Sequence, residues 1–180
     1  EVSISSTVSK NHEPVTIGKI AIKPMDFPQS VMTLDQVLLE RQQVTQVSDI
    51  LKNANGVYQM GNTGGVQEEI AARGFAFSSS NTFKNGIRFN NGIKPEVSAL
   101  DRVEILKGSS AILYGNVAAG GILNFVTKKP KFEKGGEVAM RMGSFDFMKP
   151  TIDLYGAVNG SEHVAYRLNG SYESAGSYRD

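Results

Sequence analysis

The sequence predicts a mixed α+β domain over residues 1–134, followed by antiparallel β-strands over residues 135–180. In the first part, two short stretches carry apolar residues at helical spacing, and four strand-like pieces come after them. In the second part, apolar and polar residues alternate, which is the period of a β-strand with two different faces. A basic, proline-interrupted segment next to paired glycines, at 128–136, is typical of a connector between the two parts.

The composition of the chain excludes several classes of function. Its 180 residues can bury a sizeable core, and 19 basic against 18 acidic side chains offer no electrostatic basis for binding nucleic acid. The chain has no cysteine, which excludes disulfides, thiol nucleophiles and cysteine-rich zinc sites. His12 and His163 are interpreted as ordinary exposed histidines. No apolar run is long enough for a membrane helix, so a membrane role is open only through β-structure.

Two short helices are predicted in the first part. Thr33 and Gln36 have the spacing of a capping box that would begin a helix over 34–41. Apolar residues repeat at helical spacing over 47–54, and Gly56 suits the position just beyond the end of that second helix. Strands are predicted around 69–75, 83–89, 102–107 and 121–127, with Asn85-Gly86 as a turn.

The N-terminal segment has a different composition from the rest of the first part. Residues 1–12 are polar and serine-rich, so residues 1–23 are interpreted as a flexible segment. This segment lacks the charged and apolar regions of an export signal, and we expect any such signal to have been removed.

Three runs in the second part, 137–143, 151–158 and 164–172, alternate in polarity. Asn159-Gly160-Ser161 marks a tight turn between the last two runs. Each run places apolar or aromatic residues on one face and charged or small polar residues on the other. In a soluble sandwich the apolar face covers a core, whereas in an outer-membrane barrel it faces lipid. The alternation alone does not decide between the soluble sandwich and the outer-membrane barrel. Three strands cannot close a barrel by themselves, so the barrel would need further strands.

The residues that could carry catalysis do not form a site. Asp101 and Glu104 fall on opposite faces of their predicted strand, next to Arg102 and Lys107, which favours structural ion pairs over a pair of catalytic carboxylates. The glycine-rich segment 115–121 lacks the subsequent Lys-Ser/Thr of a phosphate-binding loop. No nucleophile, base and oxyanion hole come together, so we expect that the protein is not an enzyme.

The stretch from Ala99 to Pro130 carries a long motif, ALDRVEILKGSSAILYGNVAAGGILNFVTKKP. It closely resembles the plug domain of TonB-dependent outer-membrane receptors, whose pattern runs approximately E-R-V-E-V-L-R-G-P, then L-Y-G, then G-G followed by N and T-K. The shorter matches FPQSV at 27–31 and ARGF at 72–75 resemble the siderophore-receptor branch. Lys107 and Ser109 depart from the family's Arg and Pro, and Lys107 lacks the guanidinium fork of a bidentate carboxylate pair.

The resemblance implies a fold and a domain order. It predicts an α+β plug domain, a small mixed β-sheet with short helices, over 24–134. The first antiparallel strands of a transmembrane β-barrel are expected over 135–180, after the flexible segment 1–23. The resemblance therefore favours an outer-membrane barrel over a soluble sandwich for the alternating strands.

The resemblance also implies a function. The full receptor would bind a ferric siderophore at the outer face of the Gram-negative outer membrane and import it when TonB pulls on a periplasmic N-terminus. Expected partners are TonB, the ferric siderophore, outer-membrane lipid and the remainder of the barrel. No cofactor or metal ligand is expected, because iron stays inside its chelator. Haem, cobalamin or a glycan remain alternative cargoes, and a soluble β-rich binding module is the competing class.

The resemblance indicates two groups of site residues. The first six residues resemble a TonB box, an alternating segment that a partner can capture by strand addition. Arg73 matches a family position near the ligand, and loop residues of suitable chemistry are expected to join it. The predicted TonB box is Glu1, Val2, Ser3, Ile4, Ser5 and Ser6, and the predicted ligand residues are Arg73, Phe77, Phe89, Asn90 and Asn91.

Overall fold

A computed structural model of the protein describes residues 15, 17, 23, 26, 29–63, 67–90, 92, 94–108, 116–117 and 119–176. In chain order its elements are β1 (Ser30–Asp35), α1 (Gln36–Arg41), α2 (Val47–Leu51), β2 (Val57–Thr63), β3 (Gln67–Ala72), β4 (Phe75–Phe77), β5 (Thr82–Lys84), β6 (Ile87–Arg88), β7 (Leu100–Lys107), β8 (Gly121–Thr127), β9 (Gly135–Met142), β10 (Met148–Ala157) and β11 (Ala165–Ser171). Short 3-10 turns lie at Val97–Ala99 and Val158–Gly160. No helix within the described ranges is long and apolar enough to cross a bilayer.

The chain divides into two compact units. The first lies within Glu1–Pro95 and Arg102–Val126, and the second lies within Glu96–Asp101 and Thr127–Asp180. The second unit therefore combines the three alternating strands with a short segment from the middle of the chain.

The first unit is built on a five-stranded sheet in the order β1-β7-β8-β5-β6. β1 pairs antiparallel with β7, and β5 pairs parallel with β8, so the sheet is mixed. The first six residues of β8 are all buried, as expected of a central strand that is covered on both faces. Val15, Ile17, Phe83, Leu106 and Ile122 form a buried cluster against this sheet. A separate three-stranded sheet has the order β2-β3-β4.

The first helix does not begin as predicted. Thr33 lies inside β1, where it pairs with Glu104, and the predicted capping box is therefore wrong. Asp35 is the N-cap instead, and its Oδ1 accepts a hydrogen bond from the backbone N–H of Leu38 at 3.0 Å. Strand pairing with β7 extends through Asp35, so the helix begins only at Gln36.

The second helix has the predicted buried face but is shorter than predicted. Val47, Ile50, Leu51 and Ala54 are all buried, which agrees with their helical spacing. Regular helix ends at Leu51, and turns continue the chain to β2. Gly56 lies in these turns with a φ of +76°, a conformation that glycine adopts without strain.

In the second unit, β9, β10 and β11 form an antiparallel sheet in the order β11-β10-β9. The face that carries Val138, Met140, Met142, Ile152, Leu154, Tyr166 and Leu168 is exposed. Val138 and Met142 are each 76% exposed, whereas Lys149 and Asp153 on the opposite face are only 3% and 8% exposed. Polar side chains are thus buried and apolar ones exposed, which is the reverse of a water-soluble sheet and typical of a strand that faces lipid.

Candidate functional site

One end of the five-stranded sheet carries some of the side chains that were predicted to meet a ligand. At this end β7 finishes and β8 begins, and the two are joined by a hydrogen bond from the Gly108 N–H to the Gly120 carbonyl at 3.3 Å. Two hairpins, β3–β4 and β5–β6, bring residues to the same place.

The first hairpin presents Arg73. Arg73 and Gly74 form the two-residue turn between β3 and β4, with φ values of +53° and +83°. Two successive left-handed residues match the right-handed twist of the flanking strands. A Cβ added at Gly108 would lie 3.7 Å from Nη1 of Arg73, so the exposed guanidinium is close to the end of β7.

The second hairpin presents Arg88 and the residues after it. Its turn is Asn85-Gly86, with φ values of +52° and +80°, which confirms the predicted turn. Because β5 runs parallel to β8 and β6 runs back along β5, the chain returns to the end where β8 begins. There, Nη2 of Arg88 donates to the carbonyl oxygen of Asn116 at 2.6 Å.

A close backbone approach holds the first hairpin against the start of β8. A Cβ added at Gly120 would lie 2.9 Å from the carbonyl oxygen of Ala72 and 3.0 Å from Cβ of Phe75. Gly120 also has a φ of +111°, so both space and backbone conformation require glycine there. This contact and the Arg88–Asn116 hydrogen bond attach both hairpins to the end of the sheet at which β8 begins.

The predicted ligand residues have different environments in this arrangement. Arg73 and Asn90 are exposed, and the Asn90 side chain accepts a hydrogen bond from the Gly92 N–H at 2.9 Å. Phe89 is half-buried, with its ring edge-to-face with Phe125 at 6.3 Å and the Lys84 ammonium 5.6 Å from its centroid. Asn91 and the predicted TonB box, Glu1 to Ser6, lie outside the described residues.

Phe77 does not lie where the sequence predicts. It was expected to be an exposed loop aromatic, but it is the last residue of β4, pairs with Ile70 and is only 3% exposed. Composition suggested an exposed loop aromatic for the organic body of a chelator, whereas Phe77 pairs with β3 and is buried. Phe77 and Phe89 nevertheless line the same apolar pocket. The pocket is lined by Val47, Glu68, Ile70, Phe77, Thr82, Phe89, Lys94, Pro95, Leu123 and Phe125.

The carboxylate in this pocket has a structural role. Glu68 is buried and accepts hydrogen bonds from the backbone N–H and the hydroxyl of Ser48, at 3.1 and 2.9 Å. The Lys94 ammonium lies 3.9 Å away. Glu68 therefore ties α2 to β3, and each of its carboxylate oxygens accepts a hydrogen bond from Ser48.

Arg88 is not among the individual ligand residues that the sequence predicts, although the family resemblance implies that the loop from Arg88 to Glu96 meets the ligand. Among the residues that the structure describes, no carboxylate lies within 4 Å of the guanidinium of Arg73 or of Arg88. Both therefore keep donors available for an external anion. The Asn85-Gly86 turn could have indicated Arg88, because the hairpin register that it sets pairs Arg88 with Phe83.

Comparison with known sequences identifies the family. The sequence model of the TonB-dependent receptor plug domain matches residues 23–122. The chain belongs to this family. The predicted fold, an α+β plug followed by the first antiparallel strands of a transmembrane β-barrel, is confirmed by the likeness to solved receptors, as is the resemblance on which it was based.

The curated relatives that the chain matches include two named receptors. The chain is 30% identical to the ferrioxamine B receptor of Salmonella typhimurium over 87% of its own length and 24% of that receptor. It is 32% identical to the metal-pseudopaline receptor CntO of Pseudomonas aeruginosa, over 86% of the chain and 22% of the relative. The chain thus spans about a quarter of the length of these relatives, which are named as receptors and not as enzymes.

Solved structures share the fold. The pyoverdine outer-membrane receptor FpvA of Pseudomonas aeruginosa matches 96% of the chain and 26% of its own length, with a TM-score of 0.84 at 24% identity. The ferric-catecholate import receptor Fiu of Escherichia coli in its closed form matches 88% of the chain and 22% of its own length, with a TM-score of 0.78 at 26% identity.

Proposed function

We propose that this chain is the plug-containing part of an outer-membrane, TonB-dependent transporter that binds and imports ferric siderophores. The observation that carries the proposal is a plug-family match followed by a sheet with its apolar face outward and its charges inward. The ligands in the names of the relatives, ferrioxamine B and pyoverdine, support the choice of cargo.

The exposed apolar face supports the location in the outer membrane. β9, β10 and β11 contain 8, 10 and 7 residues, close to the roughly 9–11 residues of a tilted membrane-spanning strand. A soluble module would have to cover Val138, Leu154 and Leu168 with protein, and all three are exposed in the second unit. In the proposed receptor, lipid covers them, the remaining strands close the barrel, and the N-terminus lies in the periplasm.

The proposed ligand site lies at the end of the five-stranded plug sheet at which β8 begins. Arg73 and Arg88 contribute two guanidinium groups from separate hairpins, which suit an anionic ferric chelate. Asn90, with Asn91 beside it in sequence, offers amide groups for chelator oxygens, and the edge of Phe89 offers an apolar contact. Phe77 is buried and lines the same pocket as Phe89. Iron stays bound to its chelator, so the protein supplies no metal ligand.

The proposed coupling to TonB uses the segment from Glu1 to Ser6. An alternating segment with an unpaired edge can be captured by strand addition, in which backbone hydrogen bonds give affinity and alternate side chains give register. Ligand binding and energy coupling then rely on different parts of the chain.

Replacing Arg73 tests the binding site. In the full-length receptor, Arg73→Glu should weaken an anionic ferric tris-catecholate by about 2 kcal/mol or more, because a contact between desolvated charges becomes repulsive. Isothermal titration measures the affinity, with Arg41→Glu on α1 as the matched control and an uncharged ferric trihydroxamate as the control ligand. Unchanged affinity would remove Arg73 from the site. Failure of the wild-type receptor to bind any ferric chelate would contradict the proposed function.

A further inference from the structure

Part of the plug sequence is packed with the barrel strands. The second compact unit contains Glu96–Asp101 together with Thr127–Asp180, although Glu96–Asp101 lies inside the family match at 23–122. Glu96–Asp101 leads into β7, and residues 127–131 continue from the end of β8. The two segments are joined by a hydrogen bond from the Lys128 N–H to the Ala99 carbonyl at 3.0 Å. We call these two segments the anchor.

One cluster of charges attaches the anchor near the middle of β10. Asp153 accepts from the Lys128 ammonium at 3.1 Å and from the Arg167 guanidinium through both Nε and Nη2, at 2.8 and 2.5 Å. Arg167 also donates Nη1 to the carbonyl oxygen of Lys129 at 2.9 Å. The three charged side chains are at most 11% exposed. Asp153 on β10 and Arg167 on β11 thus both bind the segment 127–131.

An aromatic ring adds to the same cluster. The guanidinium carbon of Arg167 lies 5.0 Å from the ring centroid of Tyr155, and the Lys131 ammonium lies 5.3 Å from it. Both distances allow a cation–π interaction. A Cβ added at Gly135 would lie 2.6 Å from the hydroxyl of Tyr155, so this ring also packs against the start of β9.

A second cluster attaches the other segment. The Lys149 ammonium is 3.1 Å from a carboxylate oxygen of Glu96 and 3.1 Å from one of Glu173. The Lys149 side chain is only 4% exposed, and one of its two partners belongs to the anchor. Because the Lys149 ammonium is buried while the Glu96 carboxylate is 35% exposed, loss of Glu96 would leave Glu173 as the partner of a largely desolvated charge.

We propose that the anchor unfolds together with the barrel strands and not with the rest of the plug. It stays folded on β10 and β11 at urea concentrations that unfold the rest of the plug. The Asp153 cluster and the Lys149 pairs provide the attachment. In the proposed transport cycle, the part of the plug that rearranges would then exclude Glu96–Asp101 and 127–131. The inference concerns the order of unfolding, and its test needs neither siderophore nor TonB, so it can fail independently of the proposed function.

Three alanines allow a matched test in a full-length receptor otherwise free of cysteine. Ala99 lies in the anchor, Ala54 is buried in the first unit and Ala157 lies on β10. Each is replaced by cysteine, and its labelling by a maleimide is measured at increasing urea concentration in detergent. Ala99 and Ala157 are partly exposed in the folded protein, so the labelling rate is the quantity compared, and local unfolding raises it for each thiol at its own midpoint. We expect the midpoint of Ala99→Cys to coincide with that of Ala157→Cys and to exceed that of Ala54→Cys. Coincidence with Ala54→Cys instead would overturn the proposal.

A second substitution tests the cause. Asp153→Asn removes the charge shared by Lys128 and Arg167, so the labelling midpoint at position 99 should fall toward that at position 54. Asp146→Asn, in the exposed turn between β9 and β10, is the control and should leave position 99 unchanged. If Asp153→Asn reduces assembly of the receptor, Lys128→Met removes one attachment and leaves the Asp153–Arg167 pair in place. A position-99 midpoint that is insensitive to both substitutions would show that these charges do not hold the anchor.

Discussion

The carboxylate of Glu104 stabilises the sheet of the first unit. Glu104 is fully buried, and it accepts from Nε of Arg102 at 2.9 Å and from Nδ2 of Asn124 at 3.0 Å. Asn124 in turn accepts from the Gly86 N–H at 3.1 Å, which connects β7, β8 and the β5–β6 turn. The structural ion pair predicted for Glu104 is thereby confirmed. A carboxylate that is enclosed by donors from neighbouring strands fixes their register.

Glu96 makes the anchor sensitive to acid. Burial raises the pKa of Glu96, but the Ser98 backbone N–H, the Lys149 ammonium and the hydroxyls of Ser171 and Ser98 together lower the pKa below its ordinary value of 4.5. A lowered folded-state pKa means that the carboxylate stabilises the fold above the unfolded-state pKa. This contribution is lost as pH falls through the folded-state pKa.

We therefore expect the urea midpoint at position 99 to fall as pH falls below about 4.5, and to fall less in Glu96→Gln. Glu162→Gln, at an exposed position after the β10–β11 turn, is the matched control and should keep the wild-type pH dependence. An identical acid response in Glu96→Gln and wild type would show that Glu96 does not contribute to holding the anchor.

At the scale of elements, sequence patterns predicted faces better than boundaries. The alternation in β9 to β11 and the turn at Asn85-Gly86 depend on local chemistry, and both were predictable. The start of α1 was not, because pairing of Thr33 and Asp35 with a strand far along the chain overrides the local capping signal. The inward ring of Phe77 and the hydrogen bond of Arg88 to Asn116 likewise depend on long-range contacts, which a single sequence does not reveal.

The apolar face of β9 can be tested by contact with lipid. Val138 and Glu137 are adjacent and both exposed, but they point to opposite faces. A fluorophore attached to Val138→Cys in the full-length receptor should be quenched by brominated phospholipids in vesicles, whereas the same fluorophore on Glu137→Cys should be much less affected. Equal quenching at both positions, or none at Val138→Cys, would contradict the lipid-facing assignment.

At the scale of the whole molecule, the two units bury different kinds of side chain. The first unit buries Val103, Ile105 and Leu123 as an ordinary globular domain does. The second unit buries Lys149 and Asp153 and exposes its apolar side chains. A globular core and a lipid-facing wall are both expected in the proposed outer-membrane transporter.

The most direct test of the proposed function is uptake of radiolabelled iron, supplied as a ferric siderophore, by cells in which the full-length receptor is the only outer-membrane iron transporter. We expect uptake in cells with functional TonB and none in cells without it. Ile4→Pro should bind the chelate as wild type does but lose uptake, because proline interrupts the strand that TonB captures. Surface abundance of each variant is measured in parallel. Equal uptake with and without TonB, or no uptake of any ferric siderophore despite normal abundance, would contradict the account.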